Sequence, residues 1–203
     1  MKKVKKALLA MLSAIVFTGC SGGSSPAPAG TEQASTSKPI TVALTANLIT
    51  MDSTLAADGS SFTMLSACMS GLTQTALDGT MAPDMATWDI SDDGLTYTFH
   101  IFENANWSNG DPVTANDFVF SWRRLADPQV ASEYASLLDT LHVVNATECI
   151  AGEKPLEELG VKAIDDKTFE VSLYLPCDFL NPVLSSRTGI RLSQFSPYEN
   201  QGA

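Results

Sequence analysis

Alternation of apolar and polar side chains is cleanest between Trp88 and Ile101. Trp88 and Ile90 alternate with polar neighbours, Asp92-Asp93-Gly94 supplies turn chemistry, and Leu95, Tyr97, Phe99 and Ile101 interleave with Thr96, Thr98 and His100. A period of two on both sides of such a turn predicts a β-hairpin with one face in a core. Further on the chain must reverse, because Trp107 is followed by Ser-Asn-Gly-Asp-Pro, where Gly110 can take positive φ and Pro112 fixes its own. The period then changes to that of a helix. Thr114 and Asp117 predict a shortened capping box, Val113 and Phe118 fall at the two positions of a hydrophobic staple, and Phe118, Trp122 and Leu125 share one face. Arg123 and Arg124 project from the other side near the C-terminal end, where positive charge suits the helix dipole, and the helix stops before Asp127-Pro128.

Weaker patterns flank this stretch. Pro39 to Leu44 reads as the first strand of the folded body, and Phe62, Leu65, Met69 and Leu72 have the spacing of a helix over 62–72. A helix ending at Leu141 and a polar loop around Gly152 to Pro155 come next. A second hairpin is predicted from Val161 to Ile164, a turn at Asp165-Asp166-Lys167, and alternating Phe169, Val171, Leu173 and Leu175. It echoes the first in turn and polarity, but two copies with different flanks are repeated hairpin chemistry rather than a solenoid. The folded body is expected to centre on Leu72 to Ser186, with Trp107, Phe118 and Trp122 in its core.

The N-terminus has a different layout. Lys2, Lys3, Lys5 and Lys6 precede an apolar run from Ala7 to Phe17, the plan of a secretory signal over 1–19 and too short for a permanent span. The run ends in Phe17-Thr18-Gly19-Cys20, which resembles the lipobox of bacterial lipoproteins, with Phe17 in place of the usual leucine. That resemblance implies lipidation at Cys20. The Ser/Gly/Pro/Thr-rich residues 20–38 fit the flexible tether such an anchor needs.

Composition narrows the function. A hydrophobic content of 44% in 203 residues supports one good-sized domain, alone or with part of another. The formal charge is −11, and without the four N-terminal lysines 8 basic residues face 23 acidic ones, a net of about −15. Nucleic acid is excluded as a partner, since neutralising phosphates needs basic clusters that this chain lacks.

The ordered run DGLTYTFHI, then NWSNGDPVTANDFVFSWRR, then DP resembles extracellular solute-binding protein family 5, the oligopeptide- and dipeptide-binding lipoproteins of bacterial ABC importers. The resemblance extends over roughly Ile40 to Ser186. It implies a mixed α+β (α/β) fold of the periplasmic-binding-protein-like II architecture, present in part: a segment of lobe I over 39–69 with its opening strand, an accessory hairpin-and-helix domain over 70–190, and a divergent tail over 191–203. Met51-Asp52-Ser53 resembles the family's Leu-Asp-Pro turn with serine for proline, and Ser70 stands where the family usually has glutamate. By the same resemblance, Ala57-Asp58-Gly59-Ser60 matches a loop that lies along the bound peptide's backbone, and Tyr134 matches a tyrosine facing the cleft. A solvated loop and an ordinary half-buried tyrosine are the alternatives at these positions. The implied partners are peptides, permease subunits and the membrane through the lipid anchor, on the extracytoplasmic face, with no cofactor. A truncated, lipid-anchored interaction module without peptide binding is the second expectation.

Enzyme chemistry finds no support. Cys20, Cys68, Cys149 and Cys177 lack CxxC spacing, so no metal site is expected; with Cys20 acylated, buried free thiols are the first expectation and a single disulfide of unassigned pairing the second. His100 falls on the polar side of the first hairpin and His142 near a helix end, with no HExxH and no GxSxG in the chain, so no catalytic residue is assigned.

Overall fold

A computed structural model describes residues 41–177; the signal, the tether with Cys20, and the segment after 177 lie outside the described residues. In chain order the elements are α1 (Gly59–Cys68), β1 (Thr73–Thr75), β2 (Met81–Pro83), β3 (Ala86–Ile90), β4 (Thr96–Ile101), α2 (Ala115–Ala126), α3 (Leu137–Thr140), α4 (Ala146–Ile150), a 3-10 turn (Leu156–Glu158), β5 (Val161–Ala163) and β6 (Thr168–Ser172). β1 and β2 form a small separate hairpin, and the four remaining strands form an antiparallel sheet in the order β3-β4-β6-β5.

Both expected hairpins are present, and they share one sheet through their inner strands. Trp88 pairs with Phe99, and Phe99 pairs in turn with Phe169 of β6. The first turn is built as its residues dictate: Gly94 adopts φ 69°, its amide donates to Ser91 O, and the Asp93 carboxylate accepts from the Leu95 amide and the Ser91 hydroxyl. Tyr97, Phe99, Ile101, Phe169 and Val171 turn to one face and are buried, while His100 is exposed on the other beside Asp89. β3 contributes less than its alternation suggests. Ala86 is buried, Trp88 only half-buried and Ile90 exposed, because an edge strand has a neighbour on one side only.

Helix α2 covers the buried face. The capping box closes at Thr114 and Asp117, with the Asp117 carboxylate accepting from the Thr114 amide at 2.7 Å and from its hydroxyl at 3.0 Å. Asp127 terminates the helix in extended backbone, as the following proline requires. Phe118, Trp122 and Leu125 are fully buried, and burying each such side chain contributes roughly 1.5–3 kcal/mol. Phe169 is the common partner: its ring centroid lies 5.7 Å from Phe118, 5.6 Å from Trp122 and 6.1 Å from Phe99.

Gly160, ahead of β5, is required by close approach. Its amide donates to Val144 O and its carbonyl accepts from the Ser172 amide, and an added Cβ would lie 2.7 Å from Ser172 O and 2.8 Å from Val144 Cβ.

Four expectations are corrected. Thr41 to Leu44 forms no strand among the described residues, since no neighbour offers a ladder there; residues 39 and 40 lie outside them. The helix expected over 62–72 runs from Gly59 to Cys68, because Asp58 caps it earlier, and Met69 is already extended. Trp107 packs against the core from its rim instead of inside it, held in the turn that closes with the Gly110 amide on Trp107 O. Cys68, Cys149 and Cys177 are free thiols, but Cys68 at the last turn of α1 is exposed, so the expected burial holds for two of the three.

Candidate functional site

The segment from Thr50 to Met69 has its own small apolar cluster of Ala56, Leu65 and Met69, separate from the core that begins at Leu72. At its start, Asp52 organises a tight turn. The Leu55 and Ala56 amides donate to Asp52 O, and the Thr54 amide donates to its carboxylate at 2.9 Å. The same carboxylate meets Arg124 of α2 in a two-pronged pair, Nη1 to Oδ1 at 2.8 Å and Nη2 to Oδ2 at 2.6 Å. Burial alone would raise the Asp52 pKa, but the Arg124 hydrogen bonds, the Thr54 and Leu55 amides and the guanidinium charge outweigh it and hold the carboxyl below the usual carboxylate range.

The expected contact residues lie just beyond. Asp58 is the N-cap of α1, accepting from the Ser61 amide at 2.9 Å, and the Ser61 hydroxyl and amide hold its carboxyl below the usual range. Gly59 and Ser60 are thus the first helical turn and not a loop. The Ser60 hydroxyl is buried and donates to Ala46 O at 3.2 Å. Ala57 and Gly59 are exposed, and a Cβ built on Gly59 would meet nothing within 4 Å. Tyr134 is half-buried, its ring edge-on to Phe62 of α1 with centroids 5.9 Å apart. Ser132 completes the junction by donating to Thr54 O at 2.6 Å and accepting from the Tyr134 amide. The structure therefore brings Tyr134 against α1 and leaves the backbone around Ala57 and Gly59 open, while the side chains of Asp58 and Ser60 are occupied internally.

Sequence reasoning missed Arg124 as the partner of Asp52. The helix spacing placed it on the outer face, and nothing in the sequence marks which acid, 72 positions away, would meet it. A groove of about 460 Å³ runs along that outer face between Phe120, Arg123, Val130 and Leu156; none of the five expected contact residues lines it. The Cys149 thiol is poorly suited to act as a nucleophile: burial first, then Glu148 and Glu158, push it up, and its Sγ donates to Pro155 O. No helix among the described residues is long and apolar enough to cross a membrane.

Comparison with known proteins bears on the family and the fold. The profile of the bacterial extracellular solute-binding proteins, family 5 Middle, matches residues 80–202. The periplasmic oligopeptide-binding protein OppA of Salmonella typhimurium is 49% identical over 114 residues, 56% of this chain and 21% of that protein. A dipeptide-binding protein of Lactococcus lactis is 36% identical over 184 residues, 90% of this chain and 31% of that protein. Listeria monocytogenes OppA bound to peptide superposes with a TM-score of 0.66 at 41% identity, covering 70% of this chain and 28% of that one. The murein tripeptide-binding protein MppA, in an unliganded open form, superposes with a TM-score of 0.68 at 30% identity, covering 71% of this chain and 28% of that one. The chain thus spans about a fifth to a third of the length of these relatives, and its mixed α/β body is part of the periplasmic binding-protein architecture. From the matched profile and the shared fold, the chain belongs to the bacterial extracellular solute-binding proteins of family 5.

Proposed function

We propose that this chain contributes to the substrate-binding component of an ABC-type peptide importer, capturing oligopeptides outside the cytoplasm and delivering them to the permease without covalent chemistry. One observation carries the reading: a body whose relatives at 49% and 36% identity are named as oligopeptide- and dipeptide-binding proteins, and whose fold superposes on one solved with peptide bound. Ala57, Asp58, Gly59, Ser60 and Tyr134 would form part of one wall of the site. The exposed main chain at Ala57, ahead of the helix, suits hydrogen bonding to a peptide backbone, which tolerates varied side chains, whereas the Gly59 carbonyl already accepts from the Thr63 hydroxyl. Asp58 and Ser60 would act by shaping that backbone, since their side chains already have partners. Residues 39–69 would belong to lobe I and 70–190 to the accessory domain, a division supported by the two separate apolar clusters. Cys20, its thiol carrying a diacylglyceryl group and becoming the new N-terminus, would hold the protein at the membrane.

A second reading, a lipid-anchored interaction module without peptide affinity, is favoured by the internal partners of two expected contact side chains, Asp58 on the Ser61 amide and Ser60 on Ala46 O. Titration calorimetry with mixed tri- to pentapeptides separates the two. The 203-residue polypeptide alone is expected to bind weakly or not at all, and the same residues joined to a family second lobe are expected to bind in the micromolar range or tighter. Failure of the joined protein to bind any peptide would leave only the interaction module.

A further inference from the structure

The joint between the ligand-facing segment and the sheet body is polar. The segment's apolar cluster of Ala56, Leu65 and Met69 does not merge with the core under α2. What spans the gap is the Asp52–Arg124 fork, the Ser132 hydroxyl on Thr54 O, and the edge of Tyr134 on Phe62. Of these, the fork is the most directional. A planar guanidinium bonded through both terminal nitrogens to both carboxylate oxygens fixes distance and rotation together, whereas a single hydroxyl bond or a ring edge permits sliding. Asp52 is also the residue whose carbonyl and carboxylate close the turn leading into Ala57 and the α1 cap.

We infer that Arg124 is a positioning residue: through Asp52 it sets the placement of the segment 50–69, and with it the open backbone at Ala57 and Gly59 relative to Tyr134. Arg124 touches no expected ligand-contact residue itself, and the two side chains are mostly shielded, at 24% and 15% exposure, so the fork is not dissolved by solvent. The inference rests on the proposed function for its meaning, but the placement can be measured without any peptide.

Amide hydrogen exchange on the full chain is the test. In Arg124→Met, amides from Phe62 to Cys68 should exchange about tenfold faster or more, while Phe99 and Val171 in the sheet stay within about twofold, the pattern of a segment released from an intact body. Arg124→Lys keeps the charge but not the fork and should fall between the two. The double variant Asp52→Asn with Arg124→Met should exchange within about threefold of Arg124→Met alone, because the effect of Arg124 passes through Asp52. Unchanged exchange in α1, equal acceleration of sheet and segment in either single variant, or a further acceleration of about tenfold in the double variant would each overturn the inference. Segmental loosening in Arg124→Met, together with failure of the parent joined to a family second lobe to bind any peptide, speaks against the proposed function alone.

Discussion

The indole of Trp122 meets the ring of Phe169 edge-on, at 5.6 Å and an interplanar angle of 65°, and this pair ties α2 to the inner strand of the second hairpin. Both side chains are fully buried. Trp122→Ala leaves a cavity between helix and sheet and should cost about 3–5 kcal/mol in denaturant melts. A loss below about 1 kcal/mol would mean that the helix does not seat on the sheet through this face.

Gly160 tests a different kind of packing. Its missing Cβ is what lets the carbonyl of Ser172 and the backbone of Val144 approach from both sides. Gly160→Ala should destabilise by about 1–3 kcal/mol despite the usual gain from removing a flexible glycine, because two of the colliding atoms are backbone. A neutral or stabilised variant would show that the β5 entrance can widen freely.

Acid should open the Asp52–Arg124 pair. A carboxyl whose folded pKa lies below its ordinary value near 3.8 binds fewer protons when folded. The pair therefore contributes its full stabilisation above the unfolded pKa and loses it as pH falls through the folded one. Asp52→Asn should be less stable than the parent by about 1–3 kcal/mol at neutral pH, and the difference should shrink as pH drops below about 4. Urea melts of both proteins across that range would show it; a constant gap would assign the stability to shape and not to charge.

The proposed membrane attachment rests on a residue outside the described part of the chain. Cys20→Ala should abolish acylation and move the protein from the membrane fraction to the soluble one, as read by fractionation and mass of the mature N-terminus. Persistence of the variant in the membrane, with the unsubstituted protein also there and uncleaved, would instead make residues 7–17 the anchor.

Local chemistry was legible in the sequence wherever one element determines its own form. The Phe118, Trp122 and Leu125 stripe, the Thr114–Asp117 cap and the Asp93-Gly94 turn each depend on residues within a few positions, and each is formed. The start of α1 was legible in principle, because Asp58 three residues before Ser61 is a capping signal that a loop assignment passed over. Relations between distant segments were not. Asp52 and Arg124, Ser132 and Thr54, and Gly160 between Val144 and Ser172 depend on the folded route of the chain, and no spacing encodes them. Trp107 misled by size: a large indole invites a core assignment, but it sits in a tight turn, its amide on Asp111 O and its carbonyl on the Gly110 amide, and meets the core only from the rim.

Each hairpin closes over a tight turn, so β3–β4 and β5–β6 can form locally and early. The seam between them joins Phe99 to Phe169, with α2 and everything between excluded from the pairing. Closing so long a loop costs entropy before the new ladder returns any stabilisation. The slow step of folding is therefore expected at this seam, with the arrival of β6 beside β4 as Phe169 enters beneath Phe118 and Trp122. Until that moment both inner strands carry unpaired edges, and a chain held there is open to pairing with a neighbouring copy.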